Sequence, residues 1–337
     1  MASTPSAGPA PLPPGIEPAP VWVPPAPSLA EVLAGSAAGT GVALARPLLR
    51  TGLPAVLGRP GGPPPPSPAI RQAVAADAAT ADPGWFGPGS TAWKVQADAS
   101  MYVAGIAAFA LQLLHPLALA GVADHGSFAE DFFGRIVRTG LFLQGVTFGG
   151  RAEAAARVAQ VQRVHTSVVG TAPDGRPYAA GDPELLRWVH LGEYLAIAAA
   201  YRRFGAYPLG PAELDRYVDE VAVVGEAMGV PDPPRSWAAL DAAVQAYRPS
   251  LAVGEQTRAA LRFLAWPPGL PAAARPAWRL LWAGGVACVP PWARRLLGVR
   301  PRSAPELVAC RALVQGLDTL LGEPPTLVAA RRRLERP

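Results

Sequence analysis

The sequence predicts an all-α protein: a single large helical domain behind a proline-rich N-terminal stretch. From Ser100 onward, apolar residues recur at helical spacing between start and stop residues, while the period-two alternation of strands is hard to find anywhere. Half of the 337 residues are apolar and only 16% are charged, which is ample material for one large core with attached tails.

Taken in chain order, the first 68 residues hold 18 of the 41 prolines. Such a composition cannot nucleate helix or strand, so residues 1–68 are expected to be a largely disordered tail. Between Ser28 and Leu57, one or two weak helices could dock on the main domain, which is assigned to 69–337 with its clearest opening near Trp85. Residues 102–122 are apolar over about the ~20 positions that a bilayer requires. They also contain Gln112, His115 and Pro116 and lack basic flanks, which predicts a buried central helix broken near Pro116 and no membrane span.

Ser127 and Glu130 form a capping box ahead of Phe132 and Phe133. Pro173, Asp174 and Gly175 read as a turn between two helices, not a hairpin between strands. Asp182, Pro183 and Glu184 open a helix that runs to Arg202 and Arg203 and stops at Gly205. Pro211 and Gly229 bracket another, in which Leu214, Tyr217, Val218 and Val221 share a face.

Of the 30 basic residues only Lys94 is a lysine. The arginines are scattered, apart from Arg331, Arg332 and Arg333, so no nucleic-acid partner is expected. Cys288 and Cys310 are too few for a disulfide framework and read as small buried hydrophobes. The N-terminus lacks a charged region followed by an apolar core, which leads to the expectation of a cytoplasmic protein with at most peripheral membrane contact.

The four histidines, His115, His125, His165 and His190, fall within 76 residues. Histidine is the commonest metal ligand, although a core histidine bonded to a backbone carbonyl is the plainer reading of any one alone. Ala154, Val158, Val161, His165 and Val168 share one helix face, which aims His165 into apolar surroundings suited to a proximal haem ligand. Arg135, Arg138 and Thr139 share an edge of the helix after Ser127, where the guanidiniums could pair with Asp131 or hold an anion such as a propionate. Gly134 and Gly140 leave room for a flat ligand or for helix packing. Asp124 could orient His125 or join it in an acid/base pair, and His190 with Glu193 would also suit a non-haem metal.

A longer series of motifs carries a resemblance. It comprises Ser90-x-x-Trp93, Leu111 to His115-Pro116, Gly121-Val122-x-Asp124-His125, Gly134-Arg135-x-x-Arg138-Thr139 and Phe148-Gly149. It continues with His165-x-x-Val168-x-Gly170, Asp174-Gly175-Arg176-Pro177-Tyr178 and Asp182-Pro183-Glu184 through Trp188-Val189-His190. In this order, over about 85–248, they resemble the catalytic domain shared by MpaB-type oxygenases and latex-clearing proteins.

The resemblance implies an all-helical domain that holds haem b and uses O2 on a lipophilic small molecule. His165 matches the proximal iron ligand, and Arg135 and Thr139 match the haem-pocket helix. Arg138 stands where rubber oxygenases carry a lysine, and guanidinium is almost never a metal ligand. The acid that relatives place upstream of Arg135 is missing, since that stretch reads Leu117, Ala118, Leu119, Ala120. The expected site is therefore His165 as the metal ligand, Arg135, Thr139 and His190 around the cofactor, and Arg138, Thr139 and His125 in catalysis. Phe132, Phe133, Leu141 and Phe142 are candidates for an apolar substrate pocket. Two alternatives stay open: an inactive haem or lipophile carrier, and a non-haem metalloenzyme built on His115, His125, His190 and Glu193.

Overall fold

The computed structural model describes residues 20–28, 32, 38–52, 65–124 and 128–335, without the side chains at 51–52 and 128–133. The described residues form fifteen α-helices and one two-stranded hairpin. His125 and the cap residue Ser127 lie outside them, as do the side chains of Glu130, Phe132 and Phe133.

At the centre, α4 (Met101–Gln112) packs along α8 (Pro183–Phe204). Both bury alanine-rich faces, Ala104, Ala107 and Ala110 on one and Ala196, Ala199 and Ala200 on the other, so the two backbones approach closely. Proline cannot continue the preceding turn, and at Pro116 the chain bends by 108° into α5 (Pro116–Asp124). Among the described residues no single helix is long and apolar enough to cross a membrane.

His115 occupies the bend, 6% exposed, and packs on the adjoining rings of Trp188 and Tyr247 at 6.2 and 6.3 Å. Its Nδ1 lies 3.5 Å from the Ala118 amide, on the open N-terminus of α5. Asp182 accepts the Glu184 amide at 2.8 Å to start α8. At its other end, buried Arg311 donates to the carbonyls of Arg203 and Gly205.

Parts of the N-terminal stretch are docked. Trp22 stacks on Trp237 at 6.2 Å, its amide donates to Asp241, and the Trp237 indole donates back to its carbonyl at 2.8 Å. Helix α1 (Ala38–Pro47) crosses α14 (Ala304–Leu321) at a pair of glycines. A Cβ on Gly316 would fall inside the Gly41 carbonyl, and one on Gly41 would strike the Ala312 carbonyl. Backbone cannot yield as a flexible side chain can, so Gly316→Val is expected to cost about 3 kcal/mol, read as a lowered urea midpoint.

The turn at Pro173, Asp174 and Gly175 joins two strands, contrary to the expectation that it links helices directly. Strands β1 (Val169–Thr171) and β2 (Pro177–Ala179) pair antiparallel, with Gly170 opposite Tyr178. Gly175 takes φ +84°, the left-handed turn position, and Arg176 clasps Asp174 at 2.7 Å. Three residues per strand are too few to display alternation.

Candidate active site

The candidate residues lie on three helices: α6 (Phe128–Phe148) and α7 (Arg151–His165), which pack against each other, and α8. The N-terminus of α7 is set by a carboxylate far away in sequence. Asp77 on α2 (Pro68–Thr80), 3% exposed, accepts the amides of Ala152 and Glu153 at 3.1 and 2.8 Å, while Asp82 accepts that of Arg151 at 3.2 Å. Gly150 makes this possible, because a Cβ there would occupy the place of the Asp77 carboxylate. On the α6 side, Glu153 and Arg157 pair at 2.6 Å in the space that Gly145 leaves.

Arg333, from α15 (Pro325–Leu334), ties the carbonyls of Asp82 and Phe148 together at 2.8 Å each. Ser90 accepts the Trp93 amide at 3.1 Å at the start of α3 (Thr91–Gln96), and Trp93 packs edge-on to Phe148 at 5.5 Å. The Ser90, Trp93 and Phe148-Gly149 motifs thus build the scaffold that aims α7.

His165 is the last residue of α7. Ala154 and Val158 on its face are buried, and Val161, His165 and Val168 are partly buried, which matches the face read from the spacing. Gln162 fixes this end by donating to the Ala227 carbonyl of α9 (Pro211–Met228) at 3.1 Å. A helix C-terminus would favour the imidazolium by roughly 0.3–1 kcal/mol. Burial, and then the nearby Arg135 charge, outweigh that and lower the His165 pKa below its ordinary value. The ring is therefore neutral at pH 7 and has a lone pair to give.

Arg135 projects from α6 and also acts on Glu193 of α8. Burial raises that carboxyl to about 7, against the opposing pull of Arg135. One guanidinium is thus shared by a neutral imidazole and a carboxyl that titrates near neutrality. Arg138 is exposed on the same helix and Thr139 is partly buried. No described atom lies within 4 Å of the place a Cβ would take on Gly140. Leu141 and Phe142 are partly buried, Phe142 against the main core.

His190 is placed differently. It is 8% exposed, stacks on Tyr194 at 4.8 Å and lies against α9, where a Cβ on Gly225 would stand 2.8 Å from its Cε1. Burial, with Arg187 adding to it, lowers its pKa to about 4. Asp124 accepts the Tyr178 hydroxyl at 2.7 Å, and that ring lies over Gly121 and Gly170. Burial and the Asp124 bond push the Tyr178 phenol up to about 12.

Among the described residues, no three histidine, cysteine, aspartate or glutamate side chains converge to hold a metal ion. The donor chemistry suits a haem: one neutral imidazole at a helix end and an exposed guanidinium whose charge reaches it, able to pair with an acidic side arm. The surroundings of Glu193 were hidden in the sequence. It reads as the i+3 partner of His190, and nothing in the spacing signals that Arg135, 58 positions earlier, returns beside it.

Residues 93–319 match the family described as the catalytic domain of the ER-bound oxygenases mpaB/B' and of rubber oxygenase. No curated protein and no solved structure matches the chain.

Proposed function

Because the chain belongs to the mpaB/rubber oxygenase catalytic-domain family, we propose that it is a haem b-dependent oxygenase acting on a lipophilic small molecule. What supports this reading is the placement of Arg135, exposed on α6, where its charge reaches both the partly buried His165 ring and Glu193. When bound, haem supplies the activation of O2.

The protein supplies position and polarity. His165 offers its lone pair to the iron from the C-terminal end of a helix locked at both ends. Arg135 pairs with a propionate, as a planar permanent cation suits a carboxylate. Thr139, one turn on, offers a hydroxyl to the same slot, and Arg138 donates hydrogen bonds to polar atoms of the bound molecules without ligating iron. His190, under Gly225, holds α8 in register with α9 beside the cofactor. Glu193 supplies from α8 the acid missing between Leu117 and Ala120, and it can take or return a proton near neutral pH. The substrate class favoured is an isoprenoid or polyketide-like alkene, oxidised at a double bond.

The test is to express the full chain with a haem precursor, record the visible spectrum and follow O2 uptake with an isoprenoid alkene. A Soret band with alkene-dependent uptake supports the reading. Haem without uptake leaves a carrier, and iron without porphyrin sinks the assignment.

Glu193 also predicts a pH signature. Its folded pKa, about 7, lies above the ordinary 4.5, so its contribution to stability is complete below pH 4.5 and is lost as pH rises through 7. Discounted for partial exposure, Glu193→Gln should therefore stabilise the protein by about 1–2 kcal/mol at pH 8 and by almost nothing at pH 4, measured by urea unfolding. The same substitution should remove a titration near 7 from the pH profile of kcat/KM.

A further inference from the structure

We propose that the outer faces of α11 (Glu255–Ala265) and α12 (Arg275–Ala287) form a docking surface for an anionic lipid bilayer. Between Glu255 and Glu306 the chain has 50 residues without one acid, yet with eight arginines. The remainder carries 22 basic residues against all 25 acids, so the excess positive charge of the molecule lies entirely in this stretch.

The fold gathers much of that charge into one strip. Arg258 and Arg262 are exposed one turn apart on α11, which ends at Trp266. Trp266 is 54% exposed, and the Arg275 guanidinium covers it at 5.4 Å, joining the end of α11 to the start of α12. Arg275, Arg279 and Trp282 follow at i, i+4 and i+7 along α12, with both arginines exposed. Arg302 closes the strip, stacked on Trp282 at 6.0 Å.

A guanidinium stacked on an indole keeps its in-plane N–H groups for oxygen acceptors while its face is covered. Two acids bound the strip: Glu255, exposed at the start of α11 one turn before Arg258, and Glu306, whose pKa is held low first by its bonds to Ser303 and then by the Arg302 and Arg279 charges.

Arginines interleaved with a half-exposed tryptophan suit phosphate head groups over an apolar interior, the interface at which indoles concentrate. A duplex nucleic acid would use the guanidiniums but gain nothing from Trp266. The inference does not depend on the haem reading, although a bilayer surface would bring a lipophilic substrate to the enzyme.

The test is sedimentation of the full-length protein with vesicles of phosphatidylcholine alone and of phosphatidylcholine mixed with phosphatidylserine. Binding is expected to the mixed vesicles, at least about tenfold above the neutral ones, and to fall as salt shortens the Debye length. Arg275→Glu with Arg279→Glu should weaken it by at least about tenfold, since each charge near the surface is worth roughly 1 kcal/mol. Trp266→Ala should weaken it too, whereas Arg216→Glu on α9 should not, with circular dichroism confirming that each variant is folded. Equal binding to both vesicle types, no binding, or strip variants that bind like wild type would each overturn the proposal. Preferential capture by a DNA duplex in competition with the mixed vesicles would reassign the surface to nucleic acid.

Discussion

Replacing His165 with alanine is expected to abolish the Soret band of protein made with haem precursor, leaving a folded apoprotein. Its ring ends a helix whose other end is pinned by Asp77 and Asp82, so the imidazole sits at a fixed place beside Arg135. Truncation leaves no described neighbour to substitute, because His115 is buried against Trp188 and Tyr247 and His190 lies under Gly225. The partly buried position of His165 makes a small packing cost, so circular dichroism should change little while the colour is lost. Arg135→Ala should act more mildly. It removes the proposed anchor for a propionate and the charge that adds to burial in lowering the His165 pKa, so haem affinity should fall by roughly tenfold with the Soret band retained.

The second large effect is expected at Asp77, which touches none of the reacting groups. Asp77→Ala strips the acceptor from two amides at the start of α7, one of them in a buried bond. Each orphaned amide costs roughly 1–3 kcal/mol, so the loss should be about 2–4 kcal/mol by urea unfolding. Asp82→Ala should cost less, about 1–2 kcal/mol, because its bond to the Arg151 amide is exposed and only its 2.7 Å bond to the Gly84 amide is part-buried. The Asp77 variant should also broaden or weaken the Soret band. His165 lies twelve to thirteen residues from the amides that Asp77 holds, about 18–20 Å along the helix, and a small tilt there displaces the ring.

Much of the fold was legible because local chemistry dictates it. The cap at Asp182 and the stop at Gly205 delimit α8, and Pro211 with Gly229 delimits α9, the latter glycine at φ +88°. The bend at Pro116 likewise follows from the missing amide of proline. The hairpin at 169–179 was not legible, since cross-strand packing of Tyr178 over Gly170 creates it and six residues carry no period.

For the candidate site, the spacing gave the face of α7 on which His165 is partly buried, and the shared edge of α6 that carries Arg135, Arg138 and Thr139. Long-range partners escaped. Asp77 caps amides 75 and 76 positions away, and only the small residue Gly150 hinted that something had to approach there. His190 and Glu193 are neighbours around one helix, yet the first meets α9 and the second the charge of Arg135 on α6. Only the packing of three helices separates their surroundings.

The claim that one imidazole, that of His165, holds the iron is tested most directly by resonance Raman spectroscopy of the ferrous protein. An iron–histidine stretching band is expected in the wild type, absent in His165→Gly and restored when imidazole is added to that variant. The same band persisting in His165→Gly without imidazole would place the iron on another histidine and contradict the assignment.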